Sequence, residues 1–278
     1  MVEARAAEIE DAAIGLRMPE LTIDLIALLA FAALAAGFVD SIAGGGGLVT
    51  VPALLLAGYA PVAALGTNKL QGLFGSGSAT IAYAGKGLVD LRAQLPSAAL
   101  SFLGALAGAL LATMVPGDIL RAMLPFLLVA IALYFWLKPD MGDVDRAQRM
   151  GPLLFGMTVV PFVGFYDGLF GPGAGSFFML AFVSLAGYGL LKATAHTKLL
   201  NFASNLGGFA AFAFAGVVDW KIGFMMGACQ FVGARIGAGM AMKRGARLIK
   251  PLLVIVCVAL AVRLLLDPSN PVRAAVGI

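Results

Sequence analysis

Two lysines, Lys69 and Lys198, lie inside stretches that are otherwise apolar. Polar residues flank each at helical spacing: Thr67, Asn68 and Gln71 around the first, His196, Thr197, Asn201 and Asn205 around the second. An ammonium deep in a bilayer costs at least ~2.5–3.5 kcal/mol, so two in matching positions need a partner or a purpose. Ammonium and amide groups together make charge-assisted hydrogen bonds to oxyanions. The plainer reading is that both lysines snorkel to a membrane interface.

Two glycine clusters suit the same chemistry. Gly44-Gly45-Gly46-Gly47 and Gly171-Pro172-Gly173-Ala174-Gly175 each interrupt an apolar run. Glycine costs a helix about 1 kcal/mol relative to alanine, so four in succession break one. Unwound backbone at membrane depth survives only beside protein or a watery cavity. A helix restarting after the break offers free N–H groups and a partial positive charge to an anion. Close packing of helices through small residues is the alternative. Gly45, Gly46, Gly47, Asn68, Lys69, Gln71, Gly173, Gly175, Lys198 and Asn201 are therefore the candidate substrate-binding residues. Asp40 and Asp167 stand just before the two clusters, as proton carriers, counter-ions of the lysines or helix-end caps. His196, the only histidine, has an ordinary pKa suited to proton coupling.

Catalysis finds no support. One histidine cannot provide the histidine pair that intramembrane metalloprotease chemistry requires. Neither a GxSxG elbow nor a P-loop is present, and the glycine run lacks the strand before it that a nucleotide fingerprint needs. No metal site and no cofactor are expected.

These residues belong to elements that occur twice. Gly37-Phe38-Val39-Asp40 returns as Gly164-Phe165-Tyr166-Asp167, a spacing of 127 residues (164 − 37). Thr67-Asn68-Lys69-Leu70 returns as His196-Thr197-Lys198-Leu199, and Gly87-Leu88-Val89-Asp90 as Gly216-Val217-Val218-Asp219, both at 129 (196 − 67, 219 − 90). The change in spacing places two added residues beside the second glycine cluster. A duplicated, glycine-interrupted apolar half is the mark of a transporter. The chain divides into a polar N-terminal segment (1–20), repeat 1 (21–138), a polar linker (139–150), repeat 2 (151–266) and a C-terminal tail (267–278).

The apolar segments run over 21–40, 47–58, 62–84, 94–114 and 118–138, then 151–169, 176–187, 190–215, 221–242 and 250–266. Segments 47–58 and 176–187 are too short to span alone. Each half then contains four to five membrane segments, with a glycine-broken unit that is either a re-entrant hairpin or a helix plus a half-helix. Lys243, Arg244, Arg247 and Lys250 form the densest basic group and belong in the cytoplasm, as does the linker with Lys138, Arg146 and Arg149. If each broken unit makes an even number of crossings, the Lys86–Arg92 loop is also inside and the loop at Asp219 outside, which favours inverted over parallel repeats.

Composition sets the class. Of the 278 residues 61% are apolar and 12% charged, and mean hydropathy is +0.97. A soluble domain carries about 25% charged residues, so this is an all-α polytopic membrane protein. No segment has the period-two alternation of a membrane barrel. The net charge of +4 comes from basic residues scattered over short connections, which excludes a nucleic-acid patch. Cys229 and Cys257 read as packing residues within apolar stretches. The start of the chain, polar and acidic, shows no secretory signal.

The run from Gly37 to Pro52 (GFVDSIAGGGGLVTVP), followed by Ala64 to Gln71 (ALGTNKLQ), resembles the sulfite exporter TauE/SafE family, also called the toluene sulfonate uptake permease family. The resemblance covers about 21–266 and is looser in the second half. It implies a multi-pass protein of the bacterial inner membrane that moves sulfite, organosulfonates or related small anions. His196-Thr197 in place of Thr67-Asn68 implies an asymmetric pocket. The expectation is a secondary transporter of a small sulfur oxyanion working by alternating access, with the substrate and the lipid bilayer as partners and a homo-oligomer possible. The alternatives are a passive anion channel, an anchoring or sensing membrane subunit, and a transporter of another small anion such as a carboxylate.

Overall fold

The computed structural model describes residues 22–114 and 142–245 continuously, with isolated positions at 133 and 137 and between 247 and 262. In the two continuous stretches every regular element is a helix. Repeat 1 contributes α1 (Ile23–Ala43), α2 (Gly47–Leu56), α3 (Pro61–Ala84) and α4 (Leu91–Ala112). Repeat 2 contributes α5 (Pro152–Leu169), α6 (Ala174–Ser184), α7 (Leu190–Phe214) and α8 (Trp220–Arg244). The expected segment 118–138, the terminal segments 1–20 and 267–278, and all but scattered positions of 250–266 lie outside the described residues.

Local chemistry sets the helix ends. The Asp90 carboxylate accepts from the N–H groups of Arg92 and Ala93 at 2.9 and 3.1 Å, and its repeat mate Asp219 accepts from Ile222 N at 3.0 Å. These are N-caps, so α4 starts three residues before the apolar run that announces it. Pro61 and Pro152 open α3 and α5, where a missing N–H costs nothing. Gly44 (φ 78°) and Gly45 (φ 92°) turn the chain between α1 and α2, and Gly171 (φ 81°) and Gly173 (φ 87°) do so between α5 and α6. That left-handed backbone is open to glycine and costly for other residues.

Both broken units are helical hairpins that enter the bundle and turn back. Leu29 and Ala33 of α1 share one buried cluster with Ala53 and Leu54 of α2 and with Ala63 and Ala64 of α3. The two tips touch in the interior, where a Cβ on Gly44 would lie 2.6 Å from the Gly175 carbonyl carbon and Ser176 Oγ donates to Ala43 O at 3.2 Å. α6 begins 127 residues after α2 (174 − 47), whereas α7 begins 129 after α3 (190 − 61). The added residues are thus accommodated in α6 and the loop after it, which corrects their placement beside the glycines.

The halves interlock by exchange. α4 packs on α5 with Gly104 facing Pro161 O and Gly108 facing Phe165 O; α8 packs on α1 with Gly233 facing Leu34 O and Gly237 facing Phe38 O. These are repeat-equivalent contacts: 104 and 108 become 233 and 237 at +129, and 34 and 38 become 161 and 165 at +127. α3 and α7 form the centre. Gly66 meets Phe212, Gly72 meets Asn205 and Gly77 meets Phe202, so these two repeat mates run antiparallel.

The polarity is inside out. Asp40, Thr67, Asn68, Lys69, Gln71, Asp167, Lys198, Asn201 and Gln230 are buried, while Phe31, Ile81, Leu95, Phe162 and Phe214 face outward. α1, α4 and α5 are long and apolar enough to cross a membrane by length and composition. α3, α7 and α8 match them in length and carry the other buried polar groups of that set, Asp40 and Asp167 lying near the ends of α1 and α5.

Candidate functional site

The polar centre lies where the hairpin tips meet α3, α7 and α8. Each lysine pairs with the aspartate of the other repeat. Lys69 Nζ is 2.7 Å from Asp167 Oδ1, and Lys198 Nζ is 3.3 Å from Asp40 Oδ2 while also donating to Asp40 O. Both ammonium groups are buried, with side chains 1% and 0% exposed. They do not snorkel. Sequence reasoning offered counter-ion and capping roles for the aspartates, and Asp40 has both, accepting from Gly46 N at 3.1 Å. Asp167 instead receives Ser204 Oγ, a residue whose repeat mate is Gly75. The two pairs are therefore equivalent in partner choice and different in their second contact.

Between the tips is a cavity of about 30 Å³, room for a water molecule or two. Gly45, Gly46, Gly47, Asn68, Gly173, Gly175 and Asn201 line it, together with Asp40 and Asp167. Lys69 and Lys198 stand one layer behind, held by the carboxylates. The pocket is therefore not the positive one that two unpaired lysines imply, because burying a lone ammonium costs several kcal/mol and pairing offsets it. Gln71 is also behind the wall. Its Nε2 donates to Asn68 Oδ1 at 2.9 Å, and Thr50 Oγ1 donates to the same oxygen at 2.6 Å. With its oxygen doubly engaged, Asn68 is oriented to donate through Nδ2.

His196 is placed elsewhere. Its ring lies 4.9 Å from Tyr188 and 5.6 Å from Phe182, at the start of α7, and it does not line the cavity. Sequence reasoning left Gln230, Asn205 and Gly72 outside the candidate set, although all three line the cavity. A glutamine inside an apolar segment was the available signal for Gln230, but its repeat mate is Ser101, so the repeat gave no support. The carboxamide oxygens of Asn201 and Gln230 have no hydrogen-bond partner among the described residues. A buried unpaired amide costs about 1–3 kcal/mol, and a water or a bound ligand removes that cost.

Helical hairpins, a buried polar centre and an apolar exterior define a polytopic helical membrane protein with an internal site. The family model "Sulfite exporter TauE/SafE" matches residues 29–264. A "Probable membrane transporter protein ORF9" of Sinorhizobium sp is 63% identical over 260 residues, which are 94% of this chain and 100% of that protein. "Probable membrane transporter protein YfcA" of Escherichia coli K12 is 50% identical over 243 residues, 87% of this chain and 90% of its own length. The more distant YunE of Bacillus subtilis is 25% identical over 265 residues. No solved structure matches. The chain belongs to the TauE/SafE family: it is a membrane transporter and not an enzyme.

Proposed function

We propose that this transporter moves a small sulfur oxyanion, sulfite or an organosulfonate, across the bacterial inner membrane by alternating access between two inverted repeats. The observation that carries the reading is the meeting of two hairpin tips at a buried cavity walled by amides and closed by exchanged Lys–Asp pairs. The antiparallel contact of α3 with α7 supports the inversion, since it puts the axis relating the halves across the helices. Lys86, Arg92, Arg146, Arg149, Lys192, Lys243 and Arg244 gather at the end of the bundle bearing Asp90, while Lys221 stands at the other, so the Asp90 end faces the cytoplasm.

Each lysine has two claimants. When Asp167 or Asp40 takes a proton, its ammonium is left without a counter-charge and can turn to an oxyanion, joined by the Asn68 amide and the N–H groups at the starts of α2 and α6. When the proton leaves, the carboxylate recovers the lysine and the anion is expelled. Proton and anion then move together.

Thermal stabilisation of the purified protein by sulfite, taurine, isethionate, acetate and phosphate tests the assignment. Stabilisation by sulfur oxyanions that disappears in Asn68→Ala and Asn201→Ala supports it. Stabilisation by acetate alone, or by sulfonates in both variants undiminished, refutes it.

A further inference from the structure

The repeat brings together one more set of residues, which the central site does not use. Gly58-Tyr59 precedes α3 and Gly187-Tyr188 precedes α7, at the spacing of 129 (188 − 59), and both glycines have positive φ, 92° and 75°. The same shift relates Asp219 to Asp90 and Thr67 to His196. One end of the molecule holds these residues together. Tyr59 is buried, its hydroxyl donates to Asp219 Oδ2 at 2.7 Å, and Asp219 N donates to Thr67 Oγ1 at 3.0 Å. The loop that closes hairpin 1 is thereby fastened to the loop that opens α8.

At the other end the equivalent residues are apart. Asp90 is exposed and only caps α4, and the Tyr188 hydroxyl has no hydrogen-bond partner among the described residues. The Tyr188 ring stacks instead on Phe182 at 5.5 Å, meets the His196 ring edge-on at 4.9 Å and carries Lys192 Nζ 4.1 Å from its centroid. Its loop is tied to the linker, through Arg146 N to Gly187 O and Asp145 to Gly189 N and Lys192.

We infer that Tyr59–Asp219 and Tyr188–Asp90 are reciprocal gate latches, one at each end of the transport path, of which this structure has the first made and the second released. The inference rests on the alternating-access reading above. Repeats that exchange conformations must exchange the contacts special to each, so the state inverse to this one joins Tyr188 to Asp90 and frees Tyr59. Tyr188 is then a positioning residue whose hydroxyl acts in a conformation other than this one.

A hydroxyl bonded to a carboxylate biases a two-state equilibrium by about tenfold. Apparent affinity at a given end scales with the fraction of molecules open there. Tyr59→Phe should therefore raise the KM for radiolabelled sulfite at the Asp90 end several-fold and lower it at the Asp219 end, measured in vesicles of opposite orientation. Tyr188→Phe should do the reverse. A merely structural tyrosine would change both ends alike; that result, or a Tyr188→Phe protein indistinguishable from the wild type, overturns the inference. A second arm needs no substrate. A variant carrying Tyr59→Cys, Asp219→Cys, Tyr188→Cys and Asp90→Cys should form either cross-link but not both in one molecule. Molecules bearing both cross-links overturn the gate even if sulfite is transported. Wild-type vesicles that move no sulfite, with the cross-links still mutually exclusive, refute the substrate and leave the gate standing.

Discussion

Lys69 and Asp167 lie in different repeats, 98 residues apart in sequence, and meet at 2.7 Å with side chains only 1% and 5% exposed. Their repeat mates Lys198 and Asp40 make the same exchange at 3.3 Å. Each half thus supplies the charge that the other half neutralises. Removing one partner leaves a buried charge alone, at a cost of about 3–5 kcal/mol, whereas removing both is far milder. Lys69→Ala and Asp167→Ala should each lower the melting temperature in detergent markedly, and the double variant should recover most of the loss. Additive losses in the double-mutant cycle would show that the pair does not couple.

Asp167→Asn removes the carboxylate's claim on Lys69 and keeps its shape. Sulfite binding should persist in this variant, while the dependence of uptake on an imposed proton gradient should fall. Proton-driven accumulation equal to the wild type would assign coupling to another group.

A tip glycine and a loop glycine separate backbone strain from crowding. Gly44→Ala meets both, with φ 78° and a Cβ 2.6 Å from the Gly175 carbonyl carbon. Gly87→Ala meets strain alone, with φ 70° and nothing within 4 Å. The second should cost about 1 kcal/mol and spare transport; the first should abolish transport by forcing the tips apart. The comparison is read by melting temperature and by sulfite uptake on the same preparations.

Packing between the halves gives a similar contrast. A Cβ on Gly108 would fall 2.0 Å from Phe165 O, while one on Gly239 of the same class of helix meets nothing within 4 Å. Gly108→Ala should therefore destabilise the α4–α5 contact. Gly239→Ala should be neutral or raise stability, by up to about 1 kcal/mol from helix propensity.

Much of this was legible because membrane burial leaves strong marks. Two lysines and two aspartates stood out in apolar stretches, with ion pairing one of the roles open to them, and the repeat showed which were equivalent. The sequence could not show that the pairing crosses between repeats. That depends on the hairpin tips meeting, which is a packing outcome fixed by contacts such as Gly44 against Gly175 rather than by periodicity. The hairpin itself was undecided for the same reason: twelve apolar residues after a glycine run fit a half-helix in either direction. Gln230 and Asn205 escaped because their repeat mates, Ser101 and Ser76, do not line the cavity, so the repeat did not mark them as parts of one site. His196 attracted attention by its ionisable ring, yet aromatic neighbours at Tyr188 and Phe182 hold it at the end of α7.

Counterflow in proteoliposomes tests the central claim most directly. Vesicles holding the purified chain would be loaded with unlabelled sulfite and diluted into a trace of radiolabelled sulfite. An alternating site predicts transient accumulation of label above its external concentration, abolished when acetate replaces the internal sulfite and strongly reduced in Asn201→Ala. Label that only equilibrates, at a rate indifferent to the internal anion, would contradict the account and make the pathway a passive pore.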